Sequence, residues 1–345
     1  NSITMAQTLF IDIYAFTLKK VKETKKITTP SGGEGERVTT EGETVNISDL
    51  IATFEGNEYE DKFKTFLSEF ISQFNSGFLI SREKGISMNE NHHTGISIAK
   101  AYIWGEFSGG HTGREQSVFT STDSTNKEYI ISKEKMVASP YFFLIWMPKD
   151  LKQGVLIVQR YSNASCTNEL KTCISRYFVK RGFKPSWYAY VPKEICKQYL
   201  DACILSGVRV QHSAPSKDAI TNPLYSDFAS DTGVSFATRL SGLALPFSRL
   251  RKSGKFKEDF KGFIGIVDKN YKEDDKVTIT YTNTDGHPVT ASLDNFDEIA
   301  PKIALETECF NDATNTPDWD KLPKKAIEFL EPIKNEMGYN PPIES

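Results

Sequence analysis

Tyr141-Phe-Phe-Leu-Ile-Trp-Met147 and Gly154-Val-Leu-Ile-Val-Gln-Arg-Tyr161 are two apolar stretches joined by the polar segment Pro148-Lys-Asp-Leu-Lys-Gln153. Each has strand length and is rich in aromatic or branched residues, and the connection is short enough for a hairpin. The first is the longest strongly apolar run of the chain, yet it falls far below the roughly 18 to 20 residues that span a bilayer. It therefore reads as a central strand, and no secretory leader is evident. The expectation is a soluble, cytoplasmic protein without membrane insertion.

Toward the C-terminus, Ser165 can cap a helix running to about Lys180, with Leu170, Cys173, Ile174, Tyr177 and Phe178 facing inward and Gly182 ending it. A strand at 187–191, a helix at 192–205 opening on Pro192, and a strand at 208–212 complete an expected β-α-β unit. Toward the N-terminus, residues 8–16 read as a strand, and 28–44, with Pro30-Ser-Gly-Gly-Glu-Gly35, as a flexible loop. Phe63, Phe66, Leu67, Phe70, Ile71 and Phe74 recur at steps of three and four, which predicts an amphipathic helix with an aromatic inner stripe. Strand-like segments follow near 77–81, 97–107 and 129–131.

Residues 213–230 are rich in turn formers and mark a candidate domain connection. Beyond them, 276–282 and 289–293 form a hairpin around Thr284-Asp-Gly286, followed by a helix from Asp294 and a last helix at 324–337. The fold class is α+β, with mixed, largely antiparallel sheets and packed helices in two domains. Residues 1–213 carry an N-terminal sheet and a β-β-α-β-α-β run; residues 214–345 form a smaller α+β domain with a basic segment, a hairpin and a C-terminal helix. A length of 345 residues and 39% hydrophobic content supply enough apolar material for two cores.

Charge is distributed unevenly. From Leu151 to Lys261 there are 18 Lys and Arg against 8 Asp and Glu, leaving 24 against 37 elsewhere in a chain of formal charge −3. A basic segment of this kind attracts phosphate polymers by counterion release and steering. Its densest part is Arg249-Leu-Arg-Lys-Ser-Gly-Lys-Phe-Lys257 with Lys261 close behind, so Arg249, Arg251, Lys252, Lys255 and Lys257 are the principal candidate phosphate contacts, with Lys261 beside them. Phe256 offers either a stacking ring or an anchor. A second set, Arg176, Lys180, Arg181 and Lys184, sits at a helix end, where cations also meet the macrodipole favourably.

Chemistry-bearing motifs are incomplete. The pairs Asp227/Asp231, Glu258/Asp259 and Asp274/Asp275 offer carboxylates to a metal-dependent nuclease, the alternative to a non-enzymatic binder. Asp285-Gly-His287 near Asp294 and Asp297 reads first as a hairpin turn, and His92-His93 as an exposed loop. Gly109-Gly-His-Thr-Gly-Arg114 lacks the Lys-Ser/Thr pair of a phosphate-binding loop. Cys166 and Cys173, and likewise Cys196 and Cys203, are seven apart, which places each pair on one helix face as reduced core thiols; Cys309 makes an odd total. No metal or cofactor is expected. A third possibility is a protein-interaction module whose basic surface meets an acidic partner.

The series of strands at 141–146 and 154–161, helix at 167–180, strand at 187–191, helix, and strand at 208–212 resembles the corresponding run of RexA-like phage exclusion proteins. The strand at 276–282, the Asp285-Gly286 turn and the helix at 294–305 continue the likeness over about the last two thirds of the chain. The resemblance implies a bacterial or prophage defence protein that binds DNA without strong sequence preference, as a homodimer. The N-terminal region, with its Gly-rich segment, departs from that pattern.

Overall fold

The architecture follows from strands that are apolar on both faces in one sheet and on one face in another. The computed structural model describes residues 8–28, 34–74, 79–81, 83–88, 93–120, 123–162, 164–213, 236–250, 256–283, 286, 288–294, 303–311 and 313–339. They fall into two compact units, one drawn from Asn1–Tyr190 and Lys302–Ser345, the other from Val191–Pro301.

The first unit opens with β1 (Leu9–Thr28), β2 (Glu34–Val45), α1 (Ile47–Ile51) and α2 (Tyr59–Phe74). There follow β3 (Leu79–Ser81), β4 (Lys84–Ser87), β5 (Thr94–Ser97), β6 (Tyr102–His111), β7 (Gln116–Thr120) and β8 (Asp123–Ile131). β9 (Val137–Trp146), β10 (Gln153–Tyr161), α3 (Thr167–Lys180) and β11 (Phe183–Ala189) complete the N-terminal part. Ten strands make one sheet along the path β11-β1-β10-β9-β6-β4-β3, with further strands paired to β1 and β6. Every pairing within it is antiparallel.

β9 is the middle strand of that path, as the apolar run predicts, and forms a hairpin with β10 in which Val155 faces Trp146. Residues 141–147 are buried on both alternating sets because both faces are covered. Phe143 meets Phe70 of the α2 stripe at 6.2 Å, and Phe66 of α2 meets Phe178 of α3. On the other set, Trp146 meets Tyr339 edge-on at 5.2 Å. Each fully buried aromatic of this kind contributes about 1.5–3 kcal/mol.

Residues 34–44, expected within a loop, belong to the strand β2, which is laid along the second half of β1 with Thr44 opposite Lys19 and Arg37 opposite Lys25. A two-stranded ribbon extending from a sheet needs no apolar face, so its polar sequence carried no strand alternation.

The second unit contains α4 (Lys193–Ala202), β12 (Ile204–His212), β13 (Phe236–Pro246), α5 (Phe247–Leu250), α6 (Phe256–Val267), β14 (Lys276–Thr282) and β15 (Pro288–Ser292). Its four strands form an antiparallel sheet in the order β13-β12-β14-β15. One face packs Val208, Val210, Val277, Ile279 and Tyr281 against Leu200, Phe247, Phe260 and Ile264 of the helices. The result is two layers, sheet and helices, and the outward positions of the opposite sheet face are exposed or half-buried.

The expected β-α-β unit is therefore divided, because β11 belongs to the ten-stranded sheet and β12 to the four-stranded one. The expected boundary at 213/214 lies between β12 and β13, two neighbours of one sheet. Residues 303–339 return to the first unit as β16 (Ile303–Ala304), β17 (Phe310–Asn311), β18 (Thr316–Pro317) and α7 (Leu322–Glu336). Of the helix expected from Asp294, residues 295–302 lie outside the described residues, and Ile303 and Ala304 pair with β1 as strand.

Candidate nucleic-acid interface

Alternation on the four strands of the second unit sends one set of side chains into the helix layer and the other into solvent. Register sets the outward groups in rows: Arg209 stands opposite Arg239 on one side and Thr278 on the other, and Thr278 stands opposite Ser292. In the next row, Gly207 stands opposite Ser241 and Thr280, and Thr280 opposite Thr290. No Asp or Glu occurs in any of the four strands, and none of these outward positions carries an aromatic ring. Both arginines are exposed, and neither forms an ion pair among the described residues.

Gly207 carries no side chain on this face. A methyl group there would stand 3.2 Å from the Leu240 carbonyl oxygen and 3.8 Å from Thr280 Cβ, so glycine lets the backbone of β13 approach closely between two hydroxyl-bearing residues. Ser206, the extra residue of the local irregularity, donates its hydroxyl to the Thr280 carbonyl at 3.0 Å and fixes the bend.

The end of the same sheet holds a buried polar knot. His212 Nδ1 is 3.0 Å from Asp275 Oδ2, and Nε2 is 2.8 Å from Thr238 Oγ1 and 3.3 Å from Asp268 Oδ2. Burial alone raises the Asp275 pKa, but backbone N–H bonds from Ser213 and Lys272, with the His212 and Ser213 side chains, hold its carboxyl below the ordinary range. Hydroxyl, imidazole and carboxylate stand in the order of a hydrolytic triad. However, the same nitrogen lies 3.3 Å from Asp268 Oδ2, a buried carboxylate oxygen that accepts no hydrogen bond among the described residues, and the knot gathers the ends of β12, β13, β14 and α6.

The basic residues singled out in the sequence are distributed over both units. Arg249 is exposed on α5, Lys261 is half-buried on α6, and Lys257 reaches the Asp294 carbonyl at 3.1 Å and its carboxylate at 3.7 Å. These three belong to the helix layer, across the sheet from Arg209 and Arg239. Arg251, Lys252 and Lys255 lie outside the described residues, as does the Phe256 side chain. In the first unit Arg176 and Lys180 are exposed on α3. Arg181 bonds the Glu69 carboxylate and the Thr53 carbonyl, and lies 4.2 Å from the centre of the Phe54 ring. Lys184 bonds Glu41, whose carboxyl is held low first by that bond and then by Lys19 at 2.9 Å. Half of the second cluster is thus engaged in internal ion pairs.

Gly109 and Gly110 serve strand packing: a Cβ on Gly110 would come within 1.8 Å of the Val137 carbonyl oxygen, and Arg114 is paired with Glu83 at 2.7 Å. His93 bonds Glu106 at 2.9 Å and stacks on Trp319. His92, Asp227, Asp231, Asp285, His287 and Asp297 lie outside the described residues. All five thiols are free, and burial pushes Cys173 and Cys203 up to about 11. Among the described residues, no group of three or more His, Cys, Asp and Glu is placed to hold a metal ion, and no helix is long and apolar enough to cross a membrane.

The chain is an α+β protein of largely antiparallel sheets, one of which sets Arg209, Arg239 and rows of Ser and Thr on strands that contain no Asp or Glu. No family model, curated protein or solved structure matches the chain. Arg209 and Arg239 escaped a search for basic clusters because each is the lone base of its strand. The readable signals were the alternation Val208-Arg-Val-Gln211 and the absence of acids from four strands.

Proposed function

We propose that this protein binds nucleic acid without strong sequence preference and without catalysis, through the face of the four-stranded sheet opposite its helices. The observation that carries the reading is the direct opposition of Arg209 and Arg239 on strands free of Asp and Glu. Like charges directly opposite each other on a sheet are destabilising, a cost that a bound polyanion reverses. Arg, Ser and Thr side chains are also the groups that position proteins on a phosphate backbone. The RexA-like resemblance supports DNA as the ligand, phage exclusion as the setting and a homodimer as the acting form, and the reading places the protein in the cytoplasm.

Fluorescence anisotropy with a labelled 20-base-pair duplex tests the reading. Arg209→Gln/Arg239→Gln weakens binding at least about tenfold at low salt, with an unchanged circular dichroism spectrum. Replacement of Arg249, Arg251, Lys252, Lys255 and Lys257 by Glu measures the helix-side contribution in the same assay. Wild-type affinity in both variants removes both surfaces from the proposal.

A further inference from the structure

We infer that Arg209 and Arg239 close on a single phosphate group of the bound polynucleotide, seated over Gly207 between Ser241 and Thr280. This rests on the nucleic-acid reading above and specifies how that backbone is held. Directly opposite residues of an antiparallel pair have Cβ atoms about 4.5–5.5 Å apart, so both guanidinium forks reach the same anion. Among the described residues no carboxylate neutralises either one, and an anion between them converts one repulsion into two attractions. Guanidinium groups also match phosphate oxygens in fork geometry.

The adjoining row provides the floor and sides of the seat. Gly207 stands opposite both Ser241 and Thr280, in the row next to the arginines, and places no side chain between them and a bound phosphate. The flanking hydroxyls are donors to phosphate oxygens. None of the outward positions in these two rows carries a ring, so bases have no platform on which to stack, and contact falls on the sugar-phosphate backbone. Such a seat is indifferent to base sequence.

Counterion release distinguishes one phosphate from two. For B-DNA, the slope of log K against log salt changes by about 0.9 for each phosphate neutralised. The full-length protein is titrated with a 20-base-pair duplex at several NaCl concentrations, as wild type, Arg209→Gln, Arg239→Gln and the double variant. A shared phosphate predicts that the double variant loses about 0.9 of slope in total. A loss near 1.8 in the double variant, half from each single change, assigns two separate phosphates and overturns the inference while leaving nucleic-acid binding intact. An unchanged slope in all variants also overturns it and moves binding to other bases. If the wild type shows no salt-dependent binding, the functional reading itself fails.

Gly207→Thr keeps every charge and puts a side chain where the phosphate is to rest, and is expected to weaken binding at least about tenfold with the same loss of slope. Wild-type binding by a folded Gly207→Thr protein overturns the position of the seat. Should that variant lose its circular dichroism signature, Ser241→Ala/Thr280→Val supplies the second measurement, at outward positions of the sheet. It is expected to lose at least about tenfold in affinity at unchanged slope, because hydroxyl donors to the anion are removed while the arginines still neutralise it. Unchanged affinity in that variant also overturns the seat.

Discussion

Asp275 shows how far one residue's role depends on groups distant in sequence. With Asp274 it reads as a pair of metal-binding carboxylates, yet its side chain is buried and its oxygens accept from Ser213, Lys272 and His212. Only the bond from Lys272 is local; Ser213 and His212 reach Asp275 through the pairing of β12 with β14. Its folded pKa lies below the unfolded value, so its contribution to stability is present above the ordinary carboxylate range and is lost as pH falls through the folded value. Urea unfolding of the full chain, followed by circular dichroism, should show the second unit's midpoint falling on the acid side. In Asp275→Asn that acid-side dependence should flatten, and at neutral pH the midpoint should drop by an amount equivalent to about 1–3 kcal/mol. His212→Leu leaves two buried carboxylates without their shared partner and should cost on the order of 3–5 kcal/mol. A wild-type midpoint in His212→Leu would show that the knot does not hold the sheet end.

Elements were legible where burial imposes a period and illegible where it does not. The α2 stripe was readable because Phe63, Phe66, Phe70 and Phe74 all enter one core, and the β9–β10 hairpin because continuous apolar runs mark strands covered on both faces. Phe66→Ala should therefore destabilise the first unit by about 3–5 kcal/mol in chemical denaturation, whereas Glu60→Ala on the exposed face of α2 should change it by less than about 0.5 kcal/mol. Equal effects of the two would refute the packing assigned to α2. β2 lacked any such period, since its sequence Glu34-Gly-Glu-Arg-Val-Thr-Thr-Glu-Gly-Glu-Thr-Val45 alternates no apolar set. On β12 the alternation was visible, but the meaning of Arg209 was not. A lone strand arginine becomes half of a site only when the register supplies Arg239.

At the scale of the molecule, folding redistributes the charge asymmetry that first pointed to polyanions. The second unit, Val191–Pro301, contains 14 Lys and Arg against 15 Asp and Glu, and the remaining residues contain 28 against 30. Each unit is thus close to neutral, because the basic run at 249–261 shares its unit with eight acids between Asp268 and Glu298. The sequence could not show this, since which segments share a core is decided by long-range pairing. The expected division at 213/214 separated β12 from its neighbours β13 and β14. What survives at this scale is a local basic face without a strong long-range field. Binding should then depend on short-range phosphate contacts, with little steering of encounter. Stopped-flow association with duplex DNA at low and moderate salt should give rate constants near the unsteered range of about 10⁵–10⁶ M⁻¹s⁻¹, with most of the salt dependence in dissociation. Association near 10⁸ M⁻¹s⁻¹ that collapses with salt would instead show the 151–261 segment acting as one basic surface. In that case charge along the chain would outweigh the neutrality of the units, and the arginine pair would be one contact among many.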